Sequence, residues 1–140
     1  MRALELSGAD RSRAEDVAQE AFARTLPHWR RVRTGTNPPG YVYRVAFRLA
    51  RRAGHLEVPT PDGTLSVEAA AGDVAAEAAL GVDLAKAVDA MPRGRRAVAL
   101  LCMLAGLSTK DAAKSLGIAE STVRKQLERA RAELRDAFGG

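Results

Sequence analysis

The sequence predicts an all-α protein: two small helical modules joined by a flexible acidic linker, the C-terminal one a helix-turn-helix domain. Three observations carry this. Apolar residues recur at helical spacing in several stretches, with Gly and Pro between them. The charge changes sign twice. Residues 1–53 hold 11 Lys or Arg against five Asp or Glu, residues 54–83 hold six acids and no Lys or Arg, and residues 84–140 return to 11 basic against six acidic residues. Finally, one stretch near the C-terminus has the turn grammar of two closely crossed helices. The expected boundaries are 1–53 for the first module, 54–82 for the linker and 83–140 for the second module.

In the first module, Ser12-Arg13-Ala14-Glu15 has the spacing of a capping box, which predicts a helix start. Val17, Ala18, Ala21, Phe22 and Leu26 then form an apolar stripe, with Asp16, Gln19, Glu20 and Arg24 opposite, until Pro27. That outer face is unusually acidic for a basic module. It reads either as a solvated face or as a docking surface for a basic partner. Thr34 to Gly40 reads as a loop because of its Gly and Pro content. A second helix is expected over Tyr41–Ala53, with Val42, Val45, Ala46 and Leu49 inward and Arg44, Arg48, Arg51 and Arg52 sharing one face. No carboxylate lies between Glu20 and Glu57 to pair with those guanidiniums, which favours polyanion binding over a plain solvated face. Five of the six aromatic residues lie in this module. Phe22 and Phe47 are expected in the core. Tyr41 and Tyr43, beside the arginines, either stack unpaired bases or pack inward.

The linker has Pro59, Pro61, Gly63, Gly72 and Gly81 and little to bury against its ordering entropy, with one Ala-rich stretch, Glu68 to Leu80, able to form a loose helix. Its charge serves solubility or weakly masks the basic modules.

The second module opens with the stripe Leu84, Ala87, Val88, Met91, then a more buried helix from Arg95 to Leu104. Ser108 caps a short helix with Ala112, Ala113 and Leu116 inward; Gly117 and Ile118 make the turn; Val123, Leu127, Ala130 and Leu134 are the buried stripe of a longer final helix. Small residues in the first helix, glycine at the turn, an aliphatic plug and a polar, basic start to the second specify a helix-turn-helix, whose second helix enters the major groove by its leading turn. Arg124 and Lys125 are best placed for base edges; Ser121, Thr122, Lys110, Lys114, Arg129 and Arg131 are phosphate ligands. A plain three-helix core with solvated basic residues is the competing account.

These residues resemble a bacterial RNA polymerase sigma factor of the extracytoplasmic-function group within the sigma-70 family. Ala14-Glu15-Asp16-Val17-Ala18-Gln19-Glu20-Ala21-Phe22 resembles the region-two helix that docks on the largest polymerase subunit, and Tyr41-Val42-Tyr43-Arg44-Val45-Ala46 resembles the segment that opens and recognises the minus-ten element. Met91-Pro92, Gly106-Leu107-Ser108 and Gly117 to Arg124 resemble region four, which binds the minus-thirty-five element as duplex. The resemblance implies promoter DNA and polymerase core as partners. Asp16, Gln19 and Glu20 would meet core; Tyr41, Tyr43, Arg44, Arg48 and Arg51 the minus-ten strand; Ser121, Thr122, Arg124, Lys125, Arg129, Lys110 and Lys114 the minus-thirty-five groove. Compared with the family, the chain is N-terminally shortened and its first module is expected to be marginal alone; either translation starts upstream of Met1 or the protein is a degenerate relative that leans on region four. Ala119 stands where the family often has a serine cap, a loss of about 0.5 to 2 kcal/mol. Arg48 replaces a frequent asparagine, and Cys102 and Ala105 replace frequent polar residues, an apolar surface that would suit an anti-sigma factor.

The rival reading is a helix-turn-helix transcriptional regulator that binds operator DNA without polymerase docking. An enzyme fits poorly: His28 and His55 lack metal spacing, and there is no Gly-rich phosphate loop, so no cofactor and no metal are expected. The lone Cys102 reads as a buried apolar thiol. Apolar runs such as Ala97–Ala105 are far short of the roughly 20 residues of a membrane span, and with no cleavage pattern near Met1 the expected location is the cytoplasm.

Overall fold

A computed structural model describes residues 2–56 and 82–138, with side chains from 86 onward in the second segment. Among the described residues every regular element is a helix, and there is no strand. The linker over 57–81, its expected helix from Glu68 to Leu80 and the inward role of Leu84 lie outside this description.

The first segment holds α1 (Arg2–Leu6), α2 (Arg11–Thr25), α3 (Trp29–Arg33) and α4 (Pro38–Arg52), with a 3-10 turn at Leu26–His28. Helix α2 starts earlier than the capping-box spacing predicts. Asp10, not Ser12, is the cap: its Oδ1 accepts from the Arg13 amide at 2.9 Å, and its charge also meets the Arg13 guanidinium at 3.3 Å. Helix α4 likewise begins inside the predicted loop. Pro38 and Pro39 occupy its first turn, where a missing amide costs nothing, and Asn37 Oδ1 caps it by accepting from the Gly40 amide at 3.1 Å.

The second segment holds α5 (Val82–Asp89), α6 (Arg93–Ala99), α7 (Thr109–Leu116) and α8 (Glu120–Phe138). The buried helix expected to Leu104 does reach that far, but its last turn, Leu100–Leu104, is a π turn.

Helix α2 lies against α4, α4 against α7, α6 and α7 against α8, and α1 against both α2 and α6. One apolar cluster therefore runs through both segments. Leu4, Phe47 and Ala50 from the first share it with Val98, Leu101, Leu116 and Val123 from the second. A segment of some 50 residues buries too little apolar surface to be comfortable alone, and the common core relieves that. Arg96, 2% exposed, ties the segments through polar atoms: it donates to the carbonyls of Met91 (2.9 Å), Leu6 (3.2 Å) and Asp89 (2.5 Å) and faces the Asp89 carboxylate. A guanidinium buried this deeply is tolerated because its donors are satisfied.

Candidate nucleic-acid interface

The helix-turn-helix is built as the turn residues dictate. Ser108 Oγ accepts from the Asp111 amide at 3.0 Å and starts α7. Ala112 and Ala113 are buried, as their small size requires where helices cross closely. Gly117 takes φ 67°, closing α7 in the left-handed region where a side chain would be strained, and the Ile118 amide bonds back to the Ala113 carbonyl at 3.1 Å. Thr109 Oγ1 donates to Glu120 Oε1 at 2.9 Å and so pins the start of α7 to the start of α8.

On α8, Ser121, Arg124, Lys125 and Arg129 are exposed, as are Lys110 and Lys114 on α7. Arg124 reaches back to Glu120 Oε1 at 2.8 Å, a pair on the surface that gains little over water. Thr122 is a correction: expected on the outer face, it is 7% exposed. The inward face of α8 is wider than its apolar stripe, because Thr122 and Gln126 form a polar flank beside Val123 and Leu127. Gln126, fully buried, accepts from Arg95 Nε at 3.0 Å, and Arg95 also pairs with Glu133. Burial, then Arg129, lowers the Arg95 pKa from its ordinary value. Hydropathy alone does not reveal a buried flank of this kind, since its residues are polar.

On α4, Tyr41, Tyr43, Arg44, Arg48 and Arg51 are all half-buried. The Arg44 guanidinium lies 5.3 Å from the centre of the Tyr41 ring, a cation–π pair, whereas Tyr43 packs toward Phe47 with ring centres 6.4 Å apart. The tyrosines are two residues apart on a helix and so serve different sides. Arg51 Nε donates to the Ser115 carbonyl at 3.1 Å, across to α7.

On α2, Asp16, Gln19 and Glu20 are exposed, with Glu20 paired to Arg24 at 2.8 Å. Phe22 and Leu26 are corrections to the expected inward stripe. They are 59% and 69% exposed and, with Trp29, Pro38, Val42 and Tyr43, line an apolar depression beside the acidic face. Phe47, fully buried, is the aromatic that does enter the core.

Cys102 is half-buried against the core, and burial pushes its thiol up to about 11 despite the opposing pull of Arg131. Ala105 is buried, and its carbonyl accepts from Asn37 Nδ2 at 2.7 Å, so this residue faces α4 and offers no apolar surface to an anti-sigma factor. Asn37, Arg51, Arg95 and Arg96 make long-range polar contacts; spacing places Arg51 on the arginine face of α4 but does not reveal its contact to α7, and it singles out none of the other three. Among the described residues no cluster of His, Cys, Asp or Glu could hold a metal, and no helix is long and apolar enough to cross a membrane.

The family model for sigma-70 region 2 matches residues 2–54, and that for sigma-70 region 4 matches residues 82–134. The chain is 32% identical to the ECF RNA polymerase sigma factor SigE of Mycolicibacterium smegmatis over 96% of its own length and 54% of that protein's. It is 28% identical to the ECF RNA polymerase sigma factor EcfG of Rhodopseudomonas palustris, covering 94% of the chain and 74% of that protein. With the RNA polymerase sigma-E factor of Streptomyces coelicolor it shares 33% identity over 88% of the chain and 70% of the relative. The chain thus spans about half the length of the first of these relatives and some three quarters of the second. No solved structure gives a significant match. With region 2 and region 4 matched in that order, and a relative one third identical across most of both chains, the protein belongs to the sigma-70 family of RNA polymerase sigma factors.

Proposed function

We propose that this chain directs RNA polymerase core to promoters for transcription initiation. Helix α8 enters the major groove of the minus-thirty-five element, with Arg124 and Lys125 at base edges and Ser121, Arg129, Lys110 and Lys114 at phosphates. Thr122, being buried, supports the helix start rather than the groove contact. Helix α4 meets the minus-ten strand with Tyr41, Arg44 and Arg48; Tyr43 shapes the helix from its inner side, and Arg51 becomes available when it leaves Ser115. The acidic face of α2, Asp16, Gln19 and Glu20, holds polymerase core, and Phe22 and Leu26 beside it supply apolar contact. A division into a module over 1–53, a linker over 54–82 and a module over 83–140 is supported by the separation of the two family matches, at 2–54 and 82–134. Work of this kind is done in the cytoplasm, and an anti-sigma factor fits the exposed apolar residues of α2 better than Cys102 and Ala105.

The observation that carries this reading is one chain holding both an exposed, basic leading turn of α8 and an exposed acidic face on α2. The test is retention on immobilised polymerase core followed by transcription from purified components. Wild type is expected to be retained and to yield promoter-dependent product, and Asp16→Arg with Glu20→Arg to lose retention. A chain that binds duplex but is never retained by core is instead a regulator acting on DNA alone.

A further inference from the structure

The leading turn of α8 carries one charge of the wrong sign for a nucleic acid. Ser121, Arg124 and Lys125 are exposed there, as are Lys110 and Lys114 on α7, yet the first turn also holds Glu120. A carboxylate on a surface offered to phosphates weakens their attraction to it. At a helix N-terminus it gains something from the macrodipole, but that gain does not depend on which side chains it touches.

The contacts of Glu120 are specific. Its Oε1 accepts from Thr109 Oγ1 at 2.9 Å and from Arg124 Nη2 at 2.8 Å, so one oxygen joins the first residue of α7 to an arginine one turn along α8. The ion pair with Arg124 lies at the surface and contributes little to stability. What it sets is direction. Glu120 is half-buried and tied to a second helix, so it is a fixed partner for the guanidinium rather than a swinging one. Arg124 spends one of its five N–H groups on that oxygen and keeps the rest of its planar fork open. Ala119, immediately before α8, has no side-chain oxygen with which to cap the helix, so the side-chain fastening of this turn comes from Thr109.

We propose that Thr109 and Glu120 form a positioning relay for Arg124. Thr109 fixes the carboxylate, and the carboxylate holds the guanidinium in the orientation in which its open edge meets a base. The inference rests on the assignment of α8 to the major groove given above. It adds two positioning residues that supply no attraction for phosphate and act on sequence preference through Arg124. An arginine that arrives already oriented loses less freedom on binding than one the base must order.

The variant that isolates the relay is Thr109→Val. It removes the donor, keeps the size of the side chain and leaves every charge in place, the Glu120 carboxylate at the helix start included. Thr109→Ser restores the hydroxyl. The full chain is titrated by fluorescence anisotropy, at one salt concentration, with a duplex of about 20 base pairs selected on wild type from a randomised pool, and with a scrambled duplex of the same composition. Circular dichroism verifies that each variant folds. Thr109→Val is expected to weaken binding to the selected duplex about three- to tenfold and to the scrambled one by less than about twofold, and Thr109→Ser to return both to wild type. In an Arg124→Ala background Thr109→Val should cost nothing further, because the relay acts through that guanidinium. Glu120→Ala is the second variant. Losing a carboxylate strengthens binding to any phosphate backbone, so it is scored by the ratio of the two affinities, which should fall by the same factor. Equal losses on both duplexes make Thr109 a phosphate contact and overturn the relay. A loss that persists without Arg124 overturns it too, since the whole leading turn is then frayed. Unchanged preference in Thr109→Val and Glu120→Ala sinks the relay alone; a wild type from whose pool no preferred duplex emerges sinks the groove reading together with it.

Discussion

For the proposed contact to a base edge Arg124 needs no rearrangement of the fold, because its partner in the free chain is the half-buried Glu120 one turn back. Arg124→Ala is expected to weaken specific duplex binding by about 1 to 3 kcal/mol and nonspecific binding far less. Titrating both duplexes at one salt concentration checks this, and equal losses would make Arg124 a phosphate contact. Cys102 is less accessible, half-buried against the core. Its thiol is raised from the ordinary 9.0 to about 11 by burial, so folding favours the protonated form. That contribution is complete below pH 9 and is lost as the pH climbs toward 11. Alkylation of the native chain at pH 8 should therefore be slow until denaturant is added, and Cys102→Ala should flatten the fall in melting temperature between pH 9 and 11. Rapid native alkylation would contradict the burial. The sequence made Cys102 legible as an apolar thiol, since Leu and Met surround it. It left Gln126 illegible, because a buried amide satisfied by Arg95 looks the same in one dimension as a solvated one.

Within elements, local rules were read well where one residue type suffices and badly where two could serve. Gly117, Ser108 and the alanines of α7 have few substitutes, so α7 and the turn were readable, whereas the buried Thr122 on α8 was not. At the start of α2 two acceptable caps lie two positions apart, and it is Asp10 that accepts from the Arg13 amide. Asp10→Ala should cost about 1 kcal/mol of unfolding free energy while Ser12→Ala should be near neutral; urea titration of the two variants separates them, and the reverse order would restore the capping box. Pro38 and Pro39 misled in the same way, since the residues that break a helix interior also suit its first turn. Phe22 and Leu26 follow the helical period of the inward stripe, yet they stay exposed at the edge of α4 while Val17 and Ala21 are buried, and period does not say how wide a neighbour is.

Across the whole molecule the common core makes a prediction about cooperativity. Trp29, the only tryptophan, reports on the first segment, whereas circular dichroism at helical wavelengths reports on both. Because Phe47, Leu101 and Leu116 share one cluster, the two unfolding curves should coincide. Leu101→Ala, a truncation in the second segment, should shift the Trp29 transition too, by about 2 to 5 kcal/mol. A Trp29 curve unmoved by that change would show that the segments unfold separately.

The sequence by itself determined the greater part of α2, α4, α6, α7 and α8, where the helix-turn-helix lies, and that the cations leading α8 and the carboxylates of α2 lie on the surface. These follow from period, caps and turn residues, all of them short-range. Only the tertiary structure decided that both segments share one core, that Arg51 and Asn37 reach across to α7 and the π turn, and that the arginine face of α4 is half covered while that of α8 is open. Those outcomes depend on which helix packs on which, and residues 64 to 90 positions apart in the chain leave no local pattern to announce their meeting.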